Sequence, residues 1–287
     1  MKLAWLYSML FIAVGAFSQS PWLPEKGGFY YQFSYITVPA YNTLFTYSDE
    51  PFQMSRSVSD KTLQFYGEHA VSDKFSVLAS VPYKILDSEE INQDFEGEES
   101  GIPASAANNA FGNSSFSLKY KIAASRWVSA AQVRVGLPAG QKEATESGLY
   151  PGYDAWSVAP VVSLGKGWNN YYFYTWLSGI VRSNQYSEYL NGGLEGGWKP
   201  MQNLWFISYF ELMDSFRNGS RALPPPEKRF GLYANDNEYT AFGFKLIYEY
   251  PVDDKNTIGV IAHAAGSFSG FMVAHSPLIS FSIFFKR

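Results

Sequence analysis

The sequence predicts an all-β protein, a twelve-stranded antiparallel transmembrane β-barrel with short periplasmic turns and long extracellular loops. Apolar and polar residues alternate with a period of two along most of the chain, and helical periodicity is nearly absent. The alternating segments exceed the roughly five or six residues typical of strands in soluble sheets and approach the roughly 9–11 that a tilted strand needs to cross a bilayer. The connections are alternately short and long, which is typical of outer-membrane barrels.

The alternation is clearest in four segments. In 115–122, phenylalanine, leucine, tyrosine and isoleucine take one face and serine and lysine the other, because successive side chains of a strand point to opposite sides. Segments 130–137, 239–250 and 279–285 repeat the pattern. Pro160 lies inside the sixth strand and predicts a bulge or a shifted boundary, because proline cannot donate to the ladder. The predicted strands lie near 28–38, 60–70, 75–85, 113–123, 128–138, 154–165, 170–182, 187–198, 203–214, 238–250, 257–266 and 274–285.

The connections divide into two classes by length. The short turns are predicted at 71–74, 124–127, 166–169, 199–202 and 251–256. The longer loops are predicted at 39–59, 86–112, 139–153, 183–186, 215–237 and 267–273. This order leaves both chain ends on the side of the short turns, which is the periplasmic side in an outer-membrane barrel.

The composition fits a barrel with two unlike faces. The chain of 287 residues is 18% aromatic and 17% charged, with a mean hydropathy of −0.16, as expected when an apolar outer face is averaged with a polar inner face. Trp127, Trp168, Trp198 and Trp205 flank short turns, where an aromatic girdle is expected. The absence of cysteine excludes a disulfide scaffold and thiolate chemistry, and the net charge of −4 provides no basic field to hold nucleic acid.

The first eighteen residues have the layout of a secretory signal peptide. Lys2 precedes the apolar run 3–17, and Ala16 and Ser18 supply the small residues before a cleavage site at Gln19. The alternative is a membrane anchor, but fifteen helical residues reach only about 22 Å, short of the roughly 30 Å hydrocarbon core. The predicted domains are a signal peptide at 1–18 and a single outer-membrane barrel at 19–287.

Three segments resemble a known family. Residues 65–83 read as a strand, a tight turn and a strand that ends in Val-Pro-Tyr, residues 110–122 include Phe-Gly-Asn before a strand with Leu-Lys-Tyr, and residues 135–140 read Val-Gly-Leu-Pro-Ala-Gly. These motifs resemble the outer-membrane proteins grouped as the MetA-pathway of phenol degradation family, with alanine, asparagine and alanine where that family has glycine, aspartate and threonine. The resemblance implies a transport-type barrel that passes small hydrophobic or aromatic compounds. It transfers no functional residue.

Charged residues inside strands point to the lumen, because a lysine or arginine that faces lipid near the midplane costs roughly 2–4 kcal/mol. Glu68 is expected to face inward on the same ground. The cations cluster on strands three to five and the carboxylates on strands eight to ten, apart from Lys245 on strand ten. Two interpretations stay open: the two walls set a transverse field across a narrow aqueous lumen, or the charges pair across the barrel and plug it. The predicted lumen-lining residues are Lys84, Lys119, Lys121, Arg134, Glu195, Glu211, Lys245 and Glu249.

Catalysis, cofactors and metals are not expected. A barrel phospholipase needs a serine, a histidine and an asparagine at the outer rim, but His275 is followed directly by Ser276, and adjacent strand residues point to opposite faces. His69 and His263 are interpreted as interfacial or lumen histidines. The acidic residues of the 86–112 loop lack the spacing of a calcium loop and are interpreted as a solvated surface.

The predicted function is a passive outer-membrane channel or diffusion transporter for small molecules in a Gram-negative bacterium, acting as a monomer and without a cofactor. Its expected partners are outer-membrane lipid and lipopolysaccharide, the barrel-assembly machinery and a small-molecule solute. One alternative is a non-transport barrel for adhesion, assembly or partner binding through loops 39–59, 86–112 and 215–237. A lipid-modifying enzyme that depends on His275 is the second alternative.

Overall fold

The protein folds as an all-β closed barrel of twelve antiparallel strands, seen in a computed structural model that describes residues 19–47, 50–89, 105–139, 148–221, 233 and 235–287. The first strand pairs with both the second and the last, so the sheet has no free edge. This confirms the predicted all-β, twelve-stranded antiparallel barrel. No helix long and apolar enough to cross a bilayer occurs in the part of the chain that the structure describes.

Thirteen strand segments form the twelve strands of the barrel, because one barrel strand is built from two segments. A complete barrel strand is called a stave below. The segments are β1 (Phe29–Leu44), β2 (Phe52–Ala70), β3 (Phe75–Ser88), β4 (Ala106–Phe111), β5 (Ser115–Ala124), β6 (Val128–Gly136), β7 (Ser157–Gly167), β8 (Tyr171–Arg182), β9 (Glu188–Met201), β10 (Leu204–Arg217), β11 (Glu238–Pro251), β12 (Thr257–Phe271) and β13 (Leu278–Lys286).

The divided stave consists of β4 and β5, which pair with successive parts of β3. Tyr83 pairs with Phe111 and Ser80 with Ser115, so the divided stave carries one more residue than its partner between these positions. The break lies opposite Pro82, which has no N–H to offer and whose carbonyl accepts from the backbone N–H of Gly112 at 3.0 Å. A missing donor thus explains why the ladder is interrupted there.

Pro160 does not produce the predicted bulge. It lies inside β7 and pairs with Val133 of β6, and on the other side Val158 pairs with Val181 and Val161 with Ser178, which are equal steps on both strands. The register is therefore kept through the proline, and β7 simply begins three residues later than the predicted start at 154.

Several strands extend further toward the long connections than predicted. β1 runs to Leu44 and β2 begins at Phe52, so only residues 45–51 connect them where a loop at 39–59 was predicted. β12 likewise runs to Phe271 instead of ending at 266, whereas β13 is shorter at this end and begins at Leu278 instead of 274. β1, β2 and β12 therefore extend beyond the segments in which apolar and polar residues alternate most clearly. Residues 1–18 and most of the acidic loop, 90–104, lie outside the described residues.

The outward face carries an apolar band bounded by charge. Toward the long connections, Lys61 and Asp87 form an exposed ion pair of 3.6 Å on the outside of β2 and β3. Toward the short turns, the ammonium group of Lys166 lies 5.6 Å and 4.8 Å from the ring centroids of Trp127 and Trp168. A lysine among exposed tryptophans suits the interface between hydrocarbon and headgroups.

Trp205 departs from the predicted girdle. Trp127, Trp168 and Trp198 are exposed on the outside, but Trp205 shares the inward face of β10 with Ile207 and packs against the buried cluster around it. A two-residue turn sets this parity, because Leu204 already belongs to the strand and side chains alternate from there.

We predict that a charge on the outward face costs stability according to its depth. Phe281 in the middle of β13 and Tyr250 near the short-turn end of β11 are 61% and 62% exposed. Phe281→Arg should lower the free energy of unfolding by about 2–4 kcal/mol and Tyr250→Arg by about 0–1 kcal/mol, measured by guanidinium unfolding from lipid vesicles. Equal losses at the two positions would contradict a lipid-facing band.

Candidate functional site

The barrel interior is the candidate site, because most of the buried polar residues lie on the inward faces of the strands. Alternation places them there: in β6, Gln132 is buried while Val133 and Val135 are exposed, and in β13 Ser280 and Ser282 are buried while Phe281 is exposed. The interior has three zones along the barrel axis. These are an apolar cap at the long-connection end, a polar middle, and an aromatic chamber at the short-turn end.

Lys119 is paired across an intervening strand. Its ammonium group donates to both carboxylate oxygens of Glu68 at 3.0 Å, although β3 lies between β5 and β2. The side chains are only 1% and 7% exposed. A lysine this buried is tolerated because a carboxylate and hydrogen bonds replace its hydration.

Lys245 is paired in the same way on the opposite side of the barrel. It donates to Glu195 at 2.6 Å across β10, and its ammonium group lies 4.8 Å from the ring centroid of Tyr209 beneath it. The second carboxylate oxygen of Glu195 accepts from the Tyr172 hydroxyl at 2.7 Å. The carboxylate is thus fixed by two donors from different strands.

Two further lysines are also paired locally, which corrects the predicted separation of sign. Lys84 donates to Asp60 at 2.7 Å on the neighbouring strand, and Lys286 donates to Glu249 at 2.5 Å. Asp60 and Glu68 place negative charge on the wall predicted to be positive. The structure therefore has neither two unpaired walls of opposite sign nor salt bridges that cross the lumen from Lys84, Lys119 or Lys245, because each of these cations has its carboxylate one or two strands away.

Three predicted residues lie elsewhere on the inward face. Lys121 and Arg134 are half-buried on β5 and β6, in phase with the buried Lys119 and Gln132. Glu211 on β10 is buried and accepts at 2.8 Å from both the Asn191 amide and the Tyr239 hydroxyl. Its other carboxylate oxygen has no hydrogen-bond partner among the described residues.

Residues 19–24, called here the N-terminal segment, run inside the barrel, a position that the sequence analysis does not predict. Gln19 is buried and donates to the side-chain oxygen of Asn191 at 3.4 Å, and Pro21 is fully buried. Trp22 stands edge-on to Tyr172 and Tyr174, with ring centroids 5.6 Å and 5.7 Å apart. The segment therefore fills part of the lumen from the short-turn end up to the polar middle.

Four of the inward aromatic rings lie flat against the barrel wall because a glycine faces each of these four on the next strand. Tyr172 pairs with Gly197, Trp176 with Gly193, Tyr209 with Gly243 and Phe284 with Gly259. A methyl group at any of these glycines would come within 2.6 Å of the paired ring. The glycines let the rings lie over the backbone, and the space above them stays open.

The aromatic chamber is a cavity of about 410 Å³ at the short-turn end. Tyr30, Tyr172, Trp205 and Phe284 form its walls and Trp22 one of its sides. Its carboxylates, Glu195 and Glu249, are both held by lysines. A largely apolar cavity with a few fixed polar groups is the usual form of a small-molecule site.

The apolar cap is a cluster of packed apolar side chains at the long-connection end of the interior. It is built from the extended ends of β1 and β2 and from the connections after β6 and β12, and its most buried members are Leu44, Met54, Leu149, Val273 and Ala274. Leu44 and Ala274 also form a backbone bridge that ties the cap to the first strand. Beside it, burial raises the pKa of the Tyr153 phenol above its ordinary value, so this part of the connections is also shielded from water.

The histidines do not assemble a hydrolytic centre. The ring of His263 is within hydrogen-bond distance of the Tyr209 hydroxyl at 2.9 Å and the Ser280 hydroxyl at 3.1 Å, so both of its nitrogens are engaged without a carboxylate. The prediction that His275 lies at the beginning of the last strand is wrong, since β13 begins at Leu278. His275 lies in the preceding connection, where its ring packs 4.5 Å from Phe45. Within the described residues, no group of three potential metal ligands occurs.

Comparison with known proteins identifies the fold. No family model and no curated protein matches the sequence. An outer membrane channel from Pseudomonas putida F1 superposes with a TM-score of 0.63 at 10% identity, covering 96% of this chain and 100% of that chain. The NanC porin and the Pseudomonas putida toluene transporter TodX give TM-scores of 0.46 and 0.42 at 9% and 10% identity, covering 90% and 97% of this chain and 98% and 94% of theirs. The first match confirms the fold implied by the resemblance of residues 65–140.

We predict that the Lys245–Glu195 pair is required for a stable interior. Lys245→Met leaves the Glu195 carboxylate buried without its cation and should cost about 3–5 kcal/mol of unfolding free energy, because an uncompensated buried charge is strongly unfavourable. Adding Glu195→Gln should restore much of the loss. The control is Arg217→Met, which breaks an exposed pair and should cost less than about 1 kcal/mol. Guanidinium unfolding of the four proteins tests this, and a harmless Lys245→Met would contradict it.

Proposed function

We propose that the protein is a passive outer-membrane channel for small molecules of a Gram-negative bacterium, with a preference for uncharged or aromatic compounds over sugars. The observation that carries this proposal is the chamber of about 410 Å³ inside a closed barrel, lined by aromatic rings and by charges that are already paired. A barrel of this kind offers a solute a route with defined polar contacts and requires no bound cofactor.

The apolar cap supports the preference for apolar solutes. Leu44, Met54 and Val273 are at most 1% exposed, and a passage between such side chains is unfavourable for ions and hydrated sugars. A compound with an apolar face loses little hydration on entering it. By sequence, residues 85–118 include several carboxylates and no lysine or arginine, and this negative charge favours uncharged solutes over anions.

The proposed route runs along the inward faces of the strands. Lys119, Lys245, Glu195 and Glu211 border its middle. The two lysines are neutralised by Glu68 and Glu195, whereas Glu211 is held by the neutral donors Asn191 and Tyr239. Lys84 lies toward the cap. Lys121, Arg134 and Glu249 complete the set proposed to line the route.

We predict that removal of the N-terminal segment opens the lumen. Deletion of residues 19–24 takes away Pro21 and Trp22 and the Gln19–Asn191 hydrogen bond, and these lie inside the barrel and not in its wall. Single-channel conductance in planar bilayers should rise several-fold over that of the intact protein. Swelling of proteoliposomes should then become measurable for sugars and amino acids as well as for aromatic acids. A deletion variant that inserts and gives no conductance would contradict passage through the lumen.

We predict that Arg134 tunes the selectivity of this opened channel. Arg134→Glu, made together with the deletion of residues 19–24, should shift the reversal potential in a salt gradient toward cation selectivity, because it replaces a positive group on the inward face by a negative one. The matched control is Lys166→Glu, which makes the same charge change on the outside of β7. An identical reversal potential in all three proteins would place Arg134 away from the route.

A further inference from the structure

The site occupied by Trp22 has the features of a ligand site. Its indole ring is held by the edges of Tyr172 and Tyr174 at 5.6 Å and 5.7 Å, with interplanar angles of 76° and 86°. Edge-to-face contacts of this kind add specific attraction to the area that they bury. Two rings on one strand thus grip a third ring that belongs to a separate segment of the chain.

The backbone next to that ring is recognised as well. Lys119 donates to both oxygens of Glu68 and directs its ammonium group to the carbonyl oxygen of Trp22 at 3.5 Å. A buried ammonium group has three donors, so the carbonyl takes the one that Glu68 leaves. Ring and carbonyl together form a two-point pattern: an aromatic slot and one donor beside it.

The wall of the slot is shaped for this occupant. Gly165 of β7 lies where a methyl group would come within 2.8 Å of Pro21, of the Trp22 ring and of Tyr174. The slot also opens into the aromatic chamber, since Trp22, Tyr172 and Tyr174 line both. A solute that enters the chamber therefore meets Trp22 directly.

The charges around the slot define what the site would accept. Glu195, Glu249 and Lys119 each already have a partner of opposite sign, so an ionic ligand would leave a buried charge uncompensated. An added carboxylate would also lie close to Glu68. An uncharged ligand with a flat aromatic system and a carbonyl oxygen matches both parts of the pattern.

We propose that Trp22 is a built-in competitor and that its slot is a binding site for uncharged, indole-sized aromatic compounds that carry a carbonyl group. Such a compound replaces the indole ring that packs against Tyr172 and Tyr174 and takes the donor of Lys119. Its binding displaces the N-terminal segment and so couples the presence of the solute to the opening of the route. This inference rests on the proposed channel function for its purpose but not for its chemistry.

The test uses the full-length protein in detergent micelles and a fluorinated N-acetyltryptophanamide followed by fluorine NMR. Trp22→Ala empties the slot and should bind the probe at least about tenfold more tightly than the unaltered protein, since an internal ligand that fills the site nine-tenths of the time weakens apparent affinity by that factor. Trp22→Phe should be intermediate and decides the question if Trp22→Ala does not fold. Trp127→Ala, which removes an exposed tryptophan on the outside, should bind as the unaltered protein does.

A second substitution identifies the slot. Trp22→Ala with Gly165→Ala places a methyl group where the ring would lie and should lose the gain in affinity. Equal affinity in the unaltered protein and Trp22→Ala, or a gain that Gly165→Ala leaves intact, overturns the proposal. Planar-bilayer recordings of the same proteins distinguish a failure of the proposed slot from a failure of the proposed channel function. Tight probe binding without conductance rejects the channel alone, and conductance without saturable probe binding rejects the slot alone.

Discussion

Closure of the sheet is the constraint on which the rest of this structure depends. In hydrocarbon, every backbone N–H and C=O must find a partner inside the protein, and a sheet satisfies them all only when its last strand pairs with its first. The seam between β1 and β13 does this over eight consecutive pairs, from Tyr30 with Lys286 to Thr37 with Ile279. The same demand explains the response to proline. Pro82 lies where the neighbouring stave is divided, and Pro160 is accommodated because β7 is not paired with β8 at that residue.

Closure with twelve strands creates an interior that side chains do not fill by themselves. Eight strands leave room only for side chains and sixteen leave an aqueous channel, so twelve requires additional filling or leaves a cavity. Here both occur. The N-terminal segment and the apolar cap occupy two zones, while glycines such as Gly197 and Gly259 let Tyr172 and Phe284 lie flat and keep the chamber open. The open space of the chamber therefore depends on these glycines, whose side chain is a single hydrogen atom.

The sequence predicts the staves well because the two environments of a barrel strand impose a period of two. The prediction is weakest where those environments end. Residues 39–44 and 52–59 extend β1 and β2 beyond the apolar band, and there the inward face packs on the apolar cap. The sequence pattern also does not show which face the first strand residue after a turn takes. The sequence therefore predicts Trp205 in the outer girdle, although its side chain points inward.

The interior was less predictable, for reasons that concern register. The pairing of Lys119 with Glu68 depends on which residues of β2 and β5 come level across β3, and the chain separation of fifty-one residues says nothing about it. The ring and glycine pairs are likewise visible only when the register is known. The N-terminal segment has two prolines and no periodicity. Its position in the lumen and the contacts of Trp22 therefore cannot be predicted from the sequence pattern.

Local pairing of the buried charges decides what kind of selectivity the lumen can have. A charge separated from its partner by the width of the barrel would lose hydration and recover little Coulomb energy, whereas a carboxylate at hydrogen-bond distance compensates most of that cost. Lys119 and Lys245 both follow this rule, with partners two strands away on the same side. The two members of each ion pair cancel at a distance, so the Lys119 and Lys245 pairs add little net field to the interior. Under the proposed channel function, the shape of the aromatic chamber and the few donors and acceptors that its charged pairs leave available would distinguish solutes.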